Sequence, residues 1–96
     1  SVREMINQTL VEAEEQLMRG ETVRLSVTWF QPDVHKDGGA YRTAAGRLKK
    51  IDYYRQVLWL AEIKSGNQPG LENIGGGIAV NFPQICRVEL IEEEVE

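Results

Sequence analysis

The chain has a single cysteine, a single histidine and no long apolar run. Because Cys86 has no partner within the chain for a disulfide, a reducing, cytoplasmic setting is the default expectation. No apolar stretch approaches the ~18 residues that a membrane span needs, and no basic-then-apolar segment begins the chain, so neither an anchor nor a secretion signal is expected. Nucleophilic catalysis is not predicted either. His35 is the only histidine, Ser26 and Ser65 have no identifiable base nearby, and Cys86 fits a core strand position.

The charge distribution narrows the choice of partners. The formal net charge is −4, from 11 basic and 15 acidic residues. A protein that binds nucleic acid over a broad face is usually basic overall, because neutralised phosphates supply much of the affinity. Residues 40–60 nevertheless carry a net charge of +4, and the remainder carries −8. A nucleic-acid site, if present, is expected in that basic stretch.

The length of 96 residues suffices for one domain with one modest core. We predict a single domain over 1–96. It is divided into a helix over 1–19, a small β-barrel over 22–91 and an acidic tail over 92–96.

Residues 1–19 have the apolar spacing of an amphipathic helix. The stripe recurs every three or four positions and is widened by two methionines: Val2, Ile6, Leu10, Ala13 and Leu17, with Met5 and Met18. Ser1 followed by Glu4 fits a capping box at the start of the helix. Gly20 supplies a left-handed residue at its end.

The apolar period then changes from 3.6 to 2, which is typical of strands. A first strand over 23–30 is followed by a turn at Asp37-Gly38-Gly39, and a second strand begins at Tyr41. Gly46 lies inside this second strand, where an isolated glycine indicates a bulge or a sharp bend. A very small barrel needs such a bend to close.

Three further strands complete the predicted fold. The order is a turn at 51–56, a strand at 57–61, a long loop at 63–77, a strand at 78–82, a corner at 83–85 and a closing strand at 86–91. Since the strand at 57–61 is apolar on both faces, we expect one face to meet the interior and the other the N-terminal helix or a partner subunit. The predicted class is mainly β with one helix (α+β), an N-terminal helix followed by a five-stranded small β-barrel.

The order and spacing of these segments resemble the YolD-like family of small bacterial and phage proteins. The likeness lies in a Gly-x-hydrophobic-x-x-Ile-Asp turn, a hydrophobic strand and a closing strand with alternating hydrophobics. The matching positions are Gly46, Leu48, Ile51, Asp52, Leu58, Leu60, Val80, Phe82, Ile85, Val88 and Leu90. The resemblance implies an Sm-like or SH3-like small barrel without known catalysis. It also implies an accessory role beside translesion DNA polymerases.

Two loop motifs partly resemble ligand sites. Residues 33–38 resemble the start of a calcium loop, but position three is His35 and position twelve is Ala44, where a bidentate acid is required. A polar turn is the favoured interpretation, and a metal or small ligand held in 31–39 is a third hypothesis. Residues 75–77 are three glycines that open a strand and lack a following Lys-Ser/Thr, so a phosphate cradle is not predicted. We predict no catalytic, metal or cofactor site.

The basic stretch carries the remaining functional hint. Its candidate nucleic-acid-binding residues are Arg42, Arg47, Lys49, Lys50, Tyr53, Tyr54 and Arg55. We expect the first three to share one strand face, and exposed aromatics beside arginines can stack on single-stranded bases. Alternatively, these charges keep a strand soluble and guard an edge, or they are neutralised by the acidic tail. The acids at this end of the chain are Glu89 of the closing strand and Glu92, Glu93, Glu94 and Glu96 of the tail.

The leading hypothesis is therefore a non-enzymatic accessory or protein-interaction module. It would bind another protein, a translesion DNA polymerase if the resemblance holds, through the helix or the strand at 57–61. The alternative is a small-barrel protein that binds single-stranded nucleic acid. Open strand edges further predict a homo-oligomer, and no membrane partner is expected.

Overall fold

The computed structural model describes residues 1–63 and 77–92. The bounds of its elements are α1 Val2–Met18, β1 Arg24–Pro32, β2 Gly39–Asp52, β3 Val57–Ala61, β4 Ile78–Asn81, a 3₁₀ helix Phe82–Gln84 and β5 Ile85–Ile91. The predicted α+β, mainly β class and the order of the elements are confirmed. Most of the predicted loop at 63–77, with Gly75 and Gly76, lies outside the described residues, as do Glu93, Glu94 and Glu96 of the tail.

Helix α1 is capped at both ends, by a side chain at its start and by backbone hydrogen bonds at its end. The Ser1 hydroxyl accepts a hydrogen bond from the Glu4 amide at 3.2 Å, as the predicted capping box requires. At the other end Gly20 has φ +85°, the Gly20 amide donates to Leu17 O and the Glu21 amide donates to Gln16 O. This is the Schellman arrangement, so the predicted stop at Gly20 is confirmed. Within the described residues, no helix has the length and apolarity to cross a membrane.

The buried face of α1 is narrower than predicted. Ile6, Leu10 and Ala13 are buried against the sheet, and Leu17 packs partly against the same core. The remaining large apolar side chains of the predicted stripe are exposed: Val2 by 64%, Met5 by 66% and Met18 by 81%. Their assignment to the buried stripe is therefore wrong, because a helix lying on one sheet buries only a narrow sector of its surface.

The five strands form one antiparallel sheet in the order β4-β3-β2-β1-β5. Strand β2 is the longest and organises the sheet. Its residues 39–47 pair with β1, and its residues 47–52 pair with β3. Helix α1 packs mainly against β5 and to a lesser extent against β2.

The irregularity of β2 lies at Lys49 and not at Gly46. Gly46 pairs with Leu25 in continuous register, whereas the pairing to β3 shifts between Leu48 and Lys50. Lys49 is therefore the extra residue of a β-bulge. Of the two alternatives predicted at Gly46, a bulge or a sharp bend, the bulge is wrong, and a close backbone approach is a further reason for glycine at this position. A Cβ there would lie 2.6 Å from the carbonyl oxygen of Ala61.

The core lies between α1 and one face of the sheet. Leu48, Leu58 and Leu60 are fully buried in it. Truncating such a leucine to alanine typically costs about 2–5 kcal/mol. The opposite face of β3 carries Val57, Trp59 and Ala61, which are half-buried. Because α1 lies on the core face, the expectation that the helix meets the second face of β3 is wrong, and the alternative of a partner subunit on that face stays a prediction.

Among the described residues, the sheet has two open edges, β4 and β5. A closed barrel is therefore not confirmed. The predicted corner at 83–85 is present as the 3₁₀ helix Phe82–Gln84, with Pro83 in its first turn. This single turn joins the two edge strands directly.

Candidate interaction surfaces

The outer face of the sheet, on the side away from α1, carries part of the basic stretch. Arg47 lies there, opposite Arg24 of β1 and Ala61 of β3. Arg42 lies opposite the buried Trp29 of β1, at a position where both strands face the core. Arg42 and Arg47 are five residues apart, and an odd separation places side chains on opposite faces of a strand. The expectation that they share a face is therefore wrong.

Arg47 is engaged by an acid that lies beyond the basic stretch. Glu62 Oε2 lies 3.4 Å from Arg47 Nε and 3.8 Å from Arg24 Nη1. Glu62 directly follows β3 and has φ +52°, a left-handed conformation at the end of the strand. Such partly exposed ion pairs stabilise a fold by only ~0–1 kcal/mol, but they lower the positive potential around Arg47. Sequence reasoning missed this pairing because the two residues meet only through the β2–β3 register.

Two lysines lie side by side at the β2 bulge. Both Lys49 and Lys50 are exposed. The Lys50 ammonium lies 5.4 Å from the ring centroid of Trp59, its cross-strand partner, which is a cation–π contact. Within residues 1–63 and 77–92, Lys49 forms no side-chain hydrogen bond, ion pair or ring contact. The bulge thus presents two adjacent charges beside a half-exposed indole.

The two predicted aromatic residues of the β2–β3 turn, Tyr53 and Tyr54, differ in their surroundings. Tyr53 packs edge-on against Phe82, with ring centroids 5.8 Å apart. Partial burial raises the pKa of its hydroxyl, and the Glu14 carboxylate raises it further. Tyr54 is 96% exposed. The turn itself is held by Asp52 Oδ1, which accepts a hydrogen bond from the Arg55 amide at 2.9 Å.

The side chain of Arg55 is also directed to Asp52, with Nε 4.0 Å from Oδ2. Of the seven predicted residues, the structure therefore brings Arg47, Lys49 and Lys50 together on or beside the outer face. Tyr54 and Arg55 lie at the neighbouring turn, whereas Tyr53 is packed against Phe82 and Arg42 lies apart.

Helix α1 presents a second surface, beside the free edge of β5. A groove of about 300 Å³ is lined by Val2, Met5, Ile6 and Thr9 of the helix and by 86–89 of β5. The helix is fixed above the groove by Arg3. Its guanidinium donates hydrogen bonds to Phe82 O at 3.1 Å and to Ile85 O at 3.2 Å. Sequence reasoning missed this anchor, since its two ends are about 80 positions apart.

Cys86 does not occupy the core position that its apolar context predicts. It is exposed, and its thiol donates to Gln84 O at 3.6 Å. The pairing of β1 with β5 shifts between Thr28 and Trp29, so Cys86 is the extra residue of a second bulge. A bulge breaks the alternation of faces, which is why the core assignment is wrong.

The loop after β1 forms a polar turn. Asp33 Oδ1 accepts a hydrogen bond from the His35 amide at 2.8 Å, and the Asp33 amide donates to Gly38 O at 3.0 Å. This is the side-chain turn typical of aspartate. Among the described residues, no three histidine, cysteine, aspartate or glutamate side chains are grouped as a metal site would require.

Comparison of the chain with protein-family models, with curated proteins and with solved structures finds no significant match. The YolD-like resemblance therefore rests on the sequence positions that carry it and stays a prediction.

Proposed function

We propose that this chain is a non-enzymatic accessory module that binds another protein through α1. One observation carries the proposal: α1 exposes more large apolar side chains than it buries. Val2, Met5, Val11 and Met18 are 49–81% exposed, whereas Ile6 and Leu10 are buried. Exposed apolar surface of this kind, here on two flanks of one helix, is typical of sites that bind protein partners.

The side of α1 that contains Val11 and Met18 fits this role best. The two residues are seven positions apart, so they lie on one side of the helix, away from the buried residues Ile6 and Leu10. A helix that docks into a groove of its partner uses anchors with this spacing. The capped ends and the Arg3 anchor hold the helix in place before binding, which lowers the entropy lost on association.

The YolD-like resemblance suggests the partner. We propose a translesion DNA polymerase, with the chain in an accessory role. The test is co-purification of a host translesion polymerase with the tagged chain. The double variant V11S/M18S should lose the polymerase, since it removes both anchors.

The matched control is Q8S/E15S, which alters two exposed polar residues of α1 with the same spacing. It should retain the polymerase, and all variants should keep the wild-type melting temperature. Equal capture by V11S/M18S and wild type would contradict a site on this side of α1. If the wild type captures a different protein and V11S/M18S does not, the protein-binding role of α1 is supported and the polymerase is rejected as its partner.

We further propose that the sheet curls into a partly open Sm-like or SH3-like barrel. In a flat sheet, β4 and β5 would be four strand spacings apart, ~19 Å. Only the three residues of the 3₁₀ helix separate them, and a 3₁₀ helix rises about 2 Å per residue. The chain can make this connection only if the sheet is strongly curved. Methyl NOEs between Ile78 and Val88 are expected, and their absence would contradict the barrel.

Single-stranded nucleic-acid binding is the second candidate. It is favoured by the adjacent charges of Lys49 and Lys50 beside the half-exposed ring of Trp59, a combination that suits a phosphate next to a stacked base. The pairing of Arg47 with Glu62 and of Arg55 with Asp52 weakens it.

This candidate predicts binding to a single-stranded oligonucleotide that weakens steeply with salt. K49E/K50E should abolish the binding. K36E/R42E changes the net charge by the same amount at the β1–β2 hairpin and should retain it. No binding at low salt, or equal loss in both variants, would reject a site at the bulge.

A further inference from the structure

Strand β5 ends the sheet with one backbone edge open. Among the described residues it pairs with β1 alone. Its outer-face residues Arg87 and Glu89 form an ion pair of 2.9 Å, and their side chains are 70% and 56% exposed. The pattern of this edge is an arginine and a glutamate placed symmetrically about Val88.

We propose that two copies of this chain form a twofold dimer through antiparallel pairing of their β5 strands, with Val88 at the dyad. An open edge is a template for another strand, and a twofold interface must be complementary to itself. When Val88 lies opposite Val88 of the second copy, Arg87 lies opposite Glu89 of that copy. The reverse pair forms on the other side of the dyad, so the two existing ion pairs become one network of four charges.

The neighbouring registers lack this complementarity. With Arg87 at the dyad, two arginines oppose each other directly. With Glu89 at the dyad, two glutamates do so. Like charges directly opposite each other destabilise a strand pair, whereas opposite charges stabilise it. The charges of this edge therefore select both a second copy as the occupant and the register in which it binds.

The groove beside β5 supports the same geometry. A dyad perpendicular to the sheet places both copies of α1 on one side of the extended sheet. The exposed side chains of Val2 and Met5, which line the groove together with residues 86–89 of β5, are then brought next to the second copy. This flank of α1 differs from the side that carries Val11 and Met18, so the dimer does not depend on the proposed partner-binding role.

Charge reversal tests the dimer directly. Sedimentation equilibrium of the wild-type chain should show a monomer–dimer equilibrium. Arg87→Glu and Glu89→Arg should each weaken the dimer by about tenfold or more, because each places two like-charge pairs across the dyad. The double variant R87E/E89R should restore the dimer, since it exchanges the charges and keeps them complementary.

The control is R19E. Arg19 and Glu21 form an exposed ion pair of 2.6 Å with the same two-residue spacing, but they lie after α1 and outside every strand of the sheet. R19E should leave the dimer unchanged. A wild-type chain that stays monomeric at millimolar concentration would overturn the proposal, whatever the variants do. So would single reversals that leave the dimer intact, or a folded R87E/E89R that stays monomeric.

Discussion

The guanidinium of Arg3, in the first turn of α1, donates a hydrogen bond of 3.2 Å to the carbonyl oxygen of Ile85, the first residue of β5. Its other nitrogen donates to Phe82 O. One side chain thus joins the helix to the corner between the two edge strands, through one carbonyl of the 3₁₀ helix and one of β5.

Removing this anchor should destabilise the protein. Arg3→Ala leaves two carbonyls without their charged donor, and we expect a loss of about 1–2 kcal/mol in the free energy of unfolding. Denaturant unfolding measures it. R19A, which removes an arginine from an exposed ion pair, should cost under ~0.5 kcal/mol. Equal costs for the two variants would show that the Arg3 hydrogen bonds add no stability of their own.

Gly46→Ala should also destabilise the fold, through a backbone contact. The added Cβ would lie 2.6 Å from Ala61 O, and an oxygen of the paired strand cannot move without disturbing the end of β3. We expect a loss of about 1–3 kcal/mol, as for other overpacked sites. Gly20→Ala is the comparison. At φ +85° it meets no atom within 4 Å and should lose only ~1 kcal/mol from backbone strain. A neutral G46A would contradict the close approach of β2 and β3.

The periodicity of the sequence predicted α1, the order of the elements along the chain and the corner at Pro83, because each depends on local patterns of side chains. It failed where one extra residue interrupts the alternation. Lys49 and Cys86 occupy bulges, and no composition signal marks either of them. It also failed for contacts between distant residues. The pairing of Glu62 with Arg47 and the bonds of Arg3 to the corner depend on strand register and helix placement, which alternation alone does not determine.

The two faces of β3 should differ in their sensitivity to truncation. Leu58 is fully buried in the core, so Leu58→Ala should cost about 2–5 kcal/mol. Trp59 is the larger side chain, but it is half-exposed and contacts Lys50 on the outer face. We therefore expect a smaller loss for Trp59→Ala, about 1–2 kcal/mol, from the area and the cation–π contact that it removes. Thermal and denaturant unfolding of both variants measures which of the two stability losses is larger. A larger loss for W59A would indicate that the outer face of β3 is covered.

Tyr53 should make stability depend on alkaline pH. Partial burial and the Glu14 carboxylate raise the pKa of its hydroxyl above the ordinary value of 10.0, so the folded state favours the neutral phenol. This contribution to stability is complete below pH 10.0 and is lost as the pH rises through the raised pKa of the folded state.

Unfolding free energies at pH 9 and pH 11 should therefore show a decline in the wild type that is smaller in Tyr53→Phe. Tyr54→Phe removes the same hydroxyl from a side chain that is 96% exposed and is the matched control. Glu14→Gln should lower the pKa of Tyr53 in a phenolate absorbance titration, because it removes the nearby negative charge. If Y53F declines as steeply as the wild type, the partial burial of Tyr53 beside Phe82 does not desolvate its hydroxyl.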